Sequence, residues 1–461
     1  MSERLQSGHA RLDQILNGGL PGNAINLIIG VPGSGKTILT QQYVFNNASI
    51  ERPALYLSTV SEPFDKIIRY GQSLDFFDVG AIGNRVIYED LGHTLQESGL
   101  EGVLAAIADF LKELKPGLVV IDSFKALHAF SRDEGEFRRF LHELAGRLTA
   151  TAASSFWVGE YTRDQAQLAA EFAVADAIIS LSFKRSSERE LRVLQVLKLR
   201  GSDFASGEHA YRISKAGLDV FPRLADTQDR SVFALDTERQ STGIQALDQI
   251  LTDGYWPGAA TLVCGPSGVG KTLMGLHFIF HGAKMGQPGV IASFQENEPQ
   301  LRRIVKGFGW TLDDPGVHLL SRSPVDMYLD EWVYELLDLI ERVGAKRVMI
   351  DSLADLMLGT GDLLRFREWM YSLIQRCSRQ GVSLMMSLEV PELFELSRVS
   401  DNGMSHLSDN VVLLQYIQEG PQLTRALTVL KTRASHHLPM VHRYEIGEGG
   451  LILGEQMAVD R

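Results

Sequence analysis

The sequence predicts an α/β protein of two tandem domains, each a mostly parallel sheet flanked by helices. The first observation is a phosphate-binding motif, G-x-x-x-x-G-K-[ST], that occurs twice, at 30–37 and at 265–272. Each copy follows a short apolar run and precedes an apolar-periodic segment, which is the strand, loop and helix order that a P-loop requires. A second apolar run, ending in aspartate, lies downstream of each copy. These observations indicate two copies of one nucleotide-binding unit.

The elements around each P-loop follow in the same order in both copies. The apolar runs 24–29 and 259–264 predict buried strands that lead into the loops. The segments 38–46 and 273–281 carry apolar residues at helical spacing and predict the helices that follow. Each half of the chain therefore has the local order of a nucleotide-binding α/β domain.

The repeat extends beyond the P-loops and sets the domain organisation. Residues 12–16 recur as 247–251, at the same offset of 235 residues that separates the two motif lysines. Regular apolar periodicity lapses between 222 and 241, and no low-complexity linker separates the halves. We therefore predict an N-terminal nucleotide-binding domain at 1–225 and a C-terminal one at 226–461.

Composition narrows the class of protein. The net charge of −12 over 461 residues gives no general basic field for nucleic acid or anionic lipid. Cys264 and Cys377 offer neither a disulfide framework nor a zinc set, which suits a reducing cytoplasm. The most apolar long stretch, 168–183, contains Glu171 and Asp176 and is too short and too charged for a membrane span. We expect a cytoplasmic protein with no membrane segment.

The motifs identify residues expected to hold ATP and Mg²⁺. The glycines let backbone N–H groups face the phosphates, the lysine reaches the β- and γ-phosphates, and the threonine hydroxyl is a Mg²⁺ ligand. An aspartate that ends a buried strand beside the loop completes the metal site. The predicted nucleotide-binding residues are Gly33, Ser34, Gly35, Lys36, Thr37, Gly268, Val269, Gly270, Lys271 and Thr272. The predicted metal ligands are Thr37 with Asp122 and Thr272 with Asp351.

The two copies differ where a catalytic carboxylate is expected. Hydrolysis of ATP needs a group that orients or deprotonates water. The C-terminal copy has Gln295-Glu296 after its next strand, whereas the aligned positions of the N-terminal copy are Val60-Ser61. Glutamine can orient water but cannot act as a base at neutral pH. We interpret Glu62 and Glu298 as surface acids at helix starts, which leaves Glu296, with Gln295, as the predicted catalytic group.

The chain resembles the KaiC-type circadian-clock ATPases, a family with tandem RecA-like domains. The resemblance rests on the paired P-loops, the paired strands that end in Asp-Ser, two similar basic strand ends at 196–202 and 429–435, and the segment 409–416. It covers nearly the whole chain. The family places ATP between subunits of a hexameric ring, where a lysine and an arginine of the neighbouring subunit touch the γ-phosphate. The resemblance therefore implies a homo-hexamer with ATP at its interfaces.

The resemblance also assigns residues across that interface. The γ-phosphate-contacting roles fall on Lys198 and Arg200 in the N-terminal copy and on Lys431 and Arg433 in the C-terminal copy. The alternative is that these are exposed basic ends of strands. The family's self-phosphorylated Ser-Thr pair corresponds to Ser405-His406, which keeps one hydroxyl as a phospho-acceptor candidate.

The sequence departs from the family at its paired catalytic glutamates. Both acids are absent at Val60-Ser61, and the first is an amide at Gln295. We infer an N-terminal unit that binds ATP mainly for assembly and a C-terminal unit that hydrolyses it, with serine autokinase activity and a role in signalling or in clock- or stress-type regulation. Two alternatives stay open: a RecA-type DNA-dependent ATPase (recombinase or helicase), and a non-catalytic scaffold in which ATP is structural.

Overall fold

A computed structural model describes most of the chain. The described residues are 4–59, 64–162, 165, 169–186, 189–224, 238–325, 327–359, 362–390, 404–433, 435–438 and 440–457. The chain divides into two compact units, Met1–Arg223 and Leu224–Arg461, called unit 1 and unit 2 below.

Unit 1 alternates strands and helices along most of its length. Its strands are β1 (Arg4–Leu5), β2 (Leu20–Pro21), β3 (Ile25–Gly30), β4 (Ala54–Ser58), β5 (Val86–Asp90), β6 (Leu118–Asp122), β7 (Ser154–Gly159), β8 (Ala177–Ser186), β9 (Arg189–Leu199), β10 (His209–Ser214) and β11 (Gly217–Phe221). Its helices are α1 (Ala10–Ile15), α2 (Lys36–Asn47), α3 (Phe64–Gly71), α4 (Gly92–Leu114), α5 (Phe124–His128), α6 (Glu134–Ala150) and α7 (Ala170–Val174), with a 3-10 turn at Val79–Ala81.

Unit 2 follows the same plan. Its strands are β12 (Ala260–Gly265), β13 (Gly289–Ser293), β14 (Val317–Ser321), β15 (Arg347–Asp351), β16 (Ser383–Glu389), β17 (Asn410–Glu419), β18 (Gln422–Thr432), β19 (Val441–Gly447) and β20 (Gly450–Gln456). Its helices are α8 (Gln245–Ile250), α9 (Lys271–Lys284), α10 (Glu298–Gly307), α11 (Leu329–Val343), α12 (Leu353–Leu358), α13 (Leu363–Arg379) and α14 (Met404–Leu407).

Each unit is organised around one sheet, and the two sheets have the same topology. The strand order is β5-β4-β6-β7-β3-β8-β9-β10-β11 in unit 1 and β14-β13-β15-β16-β12-β17-β18-β19-β20 in unit 2. The first six strands in each order pair in parallel, and the last three continue as antiparallel hairpins. The predicted fold class, two tandem and mostly parallel α/β domains, is confirmed.

The central strands are mostly apolar, with a few buried polar residues such as Asn26 and Thr261, because both faces of the sheet are covered. In β3, Ile28 packs into a core that includes α2, whereas Leu27 and Ile29 face the opposite core, which includes α4 and α6. All six residues of β3 and all six of β12 are buried. The P-loops therefore begin at the carboxyl ends of the most enclosed strands, which fixes their position against the sheet.

The helices after the P-loops begin earlier than the sequence predicts. The expected starts were residues 38 and 273, whereas α2 begins at Lys36 and α9 at Lys271. In both cases the preceding glycine has a left-handed backbone, with φ of 90° at Gly35 and 106° at Gly270. The loop turns directly into the helix at that glycine, so the lysine is already helical.

None of the helices in the described ranges is both long enough and apolar enough to cross a membrane.

One side chain on each P-loop helix anchors the last hairpin of its sheet. In unit 1, the Gln42 side-chain oxygen accepts a hydrogen bond from the backbone N–H of Leu218 at 3.1 Å. In unit 2, His277 Nε2 accepts from the N–H of Leu451 at 2.9 Å. The hairpin approaches closely because Gly450 has no Cβ, which would lie 2.2 Å from the His277 ring. Unit 2 therefore uses a titratable group where unit 1 uses a neutral amide.

The presence of His277 in unit 2, where unit 1 has Gln42, predicts that unit 2 loses stability in acid. Burial lowers the pKa of His277 to about 4, from an ordinary value near 6.5. Between about pH 6.5 and 4 the unfolded chain therefore binds more protons than the folded chain does. The stability that neutral His277 contributes is complete above about pH 6.5 and is lost as the pH falls to about 4. We expect a loss of as much as ~3 kcal/mol in the free energy of unfolding. Urea unfolding followed by tryptophan fluorescence measures it, since Trp310 packs edge-on against His277.

The matched control is His277→Gln, which installs the acceptor that unit 1 already uses. It should retain the hydrogen bond to Leu451 and remove this part of the acid sensitivity. An identical pH dependence in wild type and His277→Gln would contradict the assignment to His277.

Candidate functional site

The first P-loop closes around a short stretch of backbone after β3. Gly33 and Gly35 have φ of 74° and 90°, which glycine adopts readily and other residues do not. Tyr211 donates its hydroxyl proton to the carbonyl of Ser34 at 2.5 Å and so holds the loop from β10. The Ser34 Oγ is fully buried and has no hydrogen-bond partner among the residues that the structure describes. Lys36 Nζ donates to Val31 O at 3.0 Å, across the mouth of the loop.

The second P-loop has the same construction. Gly268 and Gly270 have φ of 74° and 106°. Tyr444 of β19 donates to the carbonyl of the buried Val269, as Tyr211 does in unit 1. Lys271 Nζ donates to Gly265 O at 2.9 Å and to the next carbonyl at 2.8 Å. Both lysines therefore rest on neutral carbonyl oxygens, which an incoming phosphate can replace with a charge-assisted partner.

Burial sets the electrostatics of both loop lysines. Desolvation lowers the pKa of Lys36, and Glu160 and Asp122 oppose that shift. Desolvation also lowers the pKa of Lys271, and Glu389 and Asp351 oppose it. An anion bound at either loop would strengthen the charged form of the lysine and offset its desolvation.

Oxygen atoms suited to Mg²⁺ meet beside each loop. Thr37 Oγ1 lies 3.2 Å from Asp122 Oδ2, and Thr272 Oγ1 lies 2.6 Å from Asp351 Oδ2. Each pair joins the first turn of the P-loop helix to the end of β6 or β15. Hydroxyl and carboxylate oxygens are ligands that Mg²⁺ prefers, together with phosphate oxygens and water. The donor set in each unit fits a Mg²⁺–nucleotide complex, and the ligand roles of these four residues stay predictions.

The two aspartates are oriented by different neighbours. In unit 1, the buried Tyr56 on β4 donates its hydroxyl proton to Asp122 Oδ2 at 2.8 Å. An isoleucine stands at the Tyr56 position of unit 2. There Asp351 Oδ1 accepts a hydrogen bond from the hydroxyl of Ser387 on β16, where unit 1 has a valine. The sequence repeat does not reveal this exchange, because the two hydroxyls come from different strands.

Glu296 lies at the same edge of the unit 2 sheet as Asp351, the predicted metal ligand. It follows β13, whose last residue, Ser293, pairs with Asp351 across the sheet. Ser293 Oγ donates to Glu296 Oε2 at 3.1 Å. Burial, and then the negative charge of Asp351, raise the pKa of Glu296. A half-buried carboxylate with a raised pKa beside a metal-binding aspartate is the environment expected of a general base.

The structure describes Gln295, the second predicted catalytic residue of unit 2, but not the aligned residues of unit 1. Gln295 is exposed, and its Nε2 donates to Asp355 Oδ2 of α12 at 3.0 Å. That bond turns the amide toward α12. The aligned residues of unit 1, Val60-Ser61 and Glu62, lie outside the described residues. The catalytic difference between the units remains a prediction from sequence.

The two basic pairs, Lys198 with Arg200 and Lys431 with Arg433, lie at the amino ends of the parallel strands, whereas each P-loop lies at their carboxyl ends. In unit 1, Lys198 Nζ donates to Phe172 O at 3.1 Å, and Arg200 pairs with Asp176 at 3.2 Å. Arg200 N bonds to Asp176 O, and Asp176 N bonds to Ile25 O at the start of β3. The P-loop starts at the far end of β3, five residues or about 17 Å further along the strand. These two side chains therefore cannot reach the phosphate site of their own unit.

Unit 2 repeats that arrangement around the candidate phospho-acceptor. Lys431 Nζ donates to Ser405 O at 2.9 Å and to Ser408 O at 2.6 Å. Arg433 donates to His406 O at 2.8 Å. Ser405 is half-buried on α14, just before β17, so it also lies at the edge remote from its own P-loop. The two basic residues and the serine form one group on this face.

Sequence reasoning missed two acidic residues beside the P-loops. Glu160 Oε1 lies 3.9 Å from Lys36 Nζ, and Glu389 acts on the corresponding lysine of unit 2. Each ends or follows the strand between the P-loop strand and the aspartate strand. Their offset, 389−160 = 229, equals that of the metal-binding aspartates, 351−122 = 229. That shared spacing is the signal that could have identified them.

Unit 1 has a cavity of about 1260 Å³ above its P-loop. Its lining includes the P-loop and strand-end residues Lys36, Thr37 and Asp122, together with less polar groups such as Tyr70 and Ile213. A lining of this mixed character suits a nucleotide, which has a charged phosphate part and a less polar base.

Comparison with known proteins identifies the family. The family model described as "ATPase: KaiC" matches the chain twice, at residues 5–225 and 240–458. The circadian clock oscillator protein KaiC of Rippkaea orientalis is 25% identical over 95% of this chain and 86% of its own length. The circadian clock protein KaiC3 of Synechocystis sp. is 25% identical over 98% of this chain and 92% of its own length. The chain belongs to the KaiC ATPase family, and the resemblance predicted from sequence is confirmed.

The different supports of the two aspartates predict different metal-sensitive variants. Tyr56→Phe should raise the Mg²⁺ concentration needed for nucleotide binding by unit 1 about tenfold, because Asp122 loses an orienting hydrogen bond. Ser387→Ala should do the same for unit 2 only. Mg²⁺ titrations of a fluorescent ATP analogue, with the other unit disabled by Lys271→Ala or Lys36→Ala, measure the effect. Equal Mg²⁺ requirements in wild type and variants would contradict the orienting role.

Proposed function

We propose that this KaiC-family chain hydrolyses ATP in unit 2 and uses ATP in unit 1 mainly to assemble a ring. The observation that carries the proposal is Glu296, a half-buried carboxylate with a raised pKa beside Asp351 and an intact P-loop. The aligned positions of unit 1, Val60-Ser61, have no carboxylate. The proposed function is ATP-dependent regulation of the clock or stress-signalling type, and the clock alternative is in keeping with the names of the two relatives.

The proposed reaction divides the work among the residues of unit 2. Lys271 would hold the β- and γ-phosphates, while Thr272 and Asp351 would hold Mg²⁺. The ion would supply positive charge that neutralises the charge developing during phosphoryl transfer. Glu296 orients a water molecule and accepts its proton as the water oxygen bonds to the γ-phosphorus and ADP leaves. Ser293 keeps the Glu296 carboxylate turned toward the sheet edge where this occurs.

The positions of the basic pairs support shared sites between subunits. Arg200 and Arg433 lie beside the starts of β8 and β17, remote from the phosphate sites of their own units. A second copy of the chain could present the same residues to those phosphates, as an arginine finger does. We propose a homo-hexamer in which Lys198 and Arg200 complete one ring of sites, and Lys431 and Arg433 complete the other.

The autokinase part of the proposal rests on Ser405. Its carbonyl is bonded to Lys431, so a subunit that offered Lys431 to a neighbouring γ-phosphate would bring Ser405 to the same place. The serine hydroxyl could then attack the γ-phosphorus in place of water. Unit 1 has Phe172 at the equivalent position, bonded to Lys198 in the same way. The proposed kinase activity is therefore confined to unit 2.

The hydrolysis proposal predicts that Glu296→Gln lowers ATP turnover by about a hundredfold or more, because a general base contributes that much. ATP binding should persist. Since burial and Asp351 raise the pKa of Glu296, turnover in wild type should fall as pH drops through a value above the ordinary 4.5. Steady-state phosphate release measured against pH tests both points.

The matched control is Glu298→Gln, the same substitution two residues away. Glu298 is an exposed first-turn acid of α10 paired with Arg302, and its loss should leave turnover unchanged. Turnover that persists in Glu296→Gln but disappears in Lys36→Ala, with the ring intact, would assign hydrolysis to unit 1 instead.

The autokinase proposal predicts transfer between chains. When Ser405→Ala, which keeps its ATP site, is mixed with Lys271→Ala, which keeps its acceptor, labelled phosphate should appear on the Lys271→Ala chain. Neither variant alone should incorporate label. Mass spectrometry identifies the modified residue. Wild-type incorporation in Ser405→Ala alone would exclude Ser405 as the acceptor, and incorporation in Lys271→Ala alone would exclude unit 2 as the donor site.

A further inference from the structure

A second lysine faces the nucleotide cavity of unit 1. Lys125 is the second residue of α5, which begins two residues after the metal-binding Asp122. It lines the same cavity as Lys36 and is half-buried there. Neither the P-loop motif nor the aspartate strand predicts a cation at this position.

The contacts of Lys125 place it next to the phosphate-binding end of the cavity. Its Nζ donates to Glu160 O at 2.5 Å and to Gln165 Oε1 at 3.0 Å. Glu160 Oε1 in turn lies 3.9 Å from Lys36 Nζ. Glu160 therefore lies between the two ammonium groups. Both acceptors of Lys125 are neutral oxygens, so a phosphate anion would be a stronger partner than either.

Unit 2 has the opposite charge at this place. The offset of 229 residues that relates the two aspartate strands aligns Lys125 with Ala354 and Ala126 with Asp355. Asp355 accepts hydrogen bonds from Ser352 and from Gln295. Unit 1 thus adds a positive charge beside its metal-binding aspartate, whereas unit 2 adds a negative one.

We propose that Lys125 is a second phosphate-binding cation of unit 1, contacting the γ-phosphate of ATP from the side opposite Lys36. The inference rests on the proposed function, in which unit 1 binds ATP. In this proposal the motif lysine, Lys36, contacts the β- and γ-phosphates. Lys125 lies on the other side of Glu160 from Lys36. Lys125 therefore makes unit 1 select ATP over ADP. With no carboxylate at Val60-Ser61, the same lysine favours retention of the bound triphosphate.

The test uses the full chain with unit 2 disabled by Lys271→Ala. Calorimetric titration with Mg²⁺ and either AMP-PNP or ADP gives two affinities for unit 1. Lys125→Met keeps the apolar stem and removes the charge. It should weaken AMP-PNP binding about tenfold or more, the loss of one charge-assisted contact, and ADP binding less than about twofold. Lys184→Met, an exposed lysine on β8 outside the cavity, is the control for net charge and should change neither affinity.

Two results would overturn the inference. The first is an unchanged AMP-PNP affinity in Lys125→Met. The second is equal weakening of AMP-PNP and ADP, together with a lower unfolding temperature of the nucleotide-free protein, which would make Lys125 only a structural link to Glu160 and Gln165. Failure of the Lys271→Ala chain itself to bind AMP-PNP would overturn both this inference and the ATP-holding role of unit 1. If the Lys271→Ala chain binds AMP-PNP and Lys125→Met leaves that affinity unchanged, only the inference about Lys125 is overturned.

Discussion

The parallel pairing of six strands in each unit is the constraint on which the rest of the structure depends. Parallel strands end at the same edge of their sheet, so residues far apart in sequence meet there. In unit 1 that edge brings the P-loop after β3 to Asp122 of β6 and to Glu160 after β7. The hydrogen bond between Thr37 and Asp122 spans 85 residues of sequence. The predicted phosphate-binding and metal-binding residues of both units meet at this shared edge.

The two units keep that edge and change what surrounds it. The loops, their lysines and the threonine–aspartate pairs make corresponding hydrogen bonds in the two units. The differences lie in the neighbouring side chains: a tyrosine or a serine orients the aspartate, and a lysine or an aspartate lies within the first three residues of the next helix. Duplication preserved the binding of phosphate, which depends on the backbone, and left the neighbouring side chains free to diverge.

Much of this could be predicted from the sequence. The P-loops are local in sequence, and their function depends on glycine conformations that few other residues adopt, so the motif alone located them. Asp122 and Asp351 were predictable because each ends an apolar run. Glu160 could be found only from the repeat spacing that it shares with Glu389, and Lys125 not at all, because both come near Lys36 through the pairing of β7 with β3, which joins segments about 130 residues apart. The helix starts were placed late because a glycine turn leaves no apolar signal.

The separation of the P-loop edge from the basic edge has a consequence for symmetry. A twofold dimer uses the same patch on both partners, so it would need phosphate site and arginine on one face. Arg200 and the P-loop lie at opposite ends of β3 instead. Shared sites between copies of this chain therefore require a heterologous, head-to-tail contact. Such contacts leave one free face at each end until rotation closes the assembly, so the number of subunits is set by the angle of a single interface.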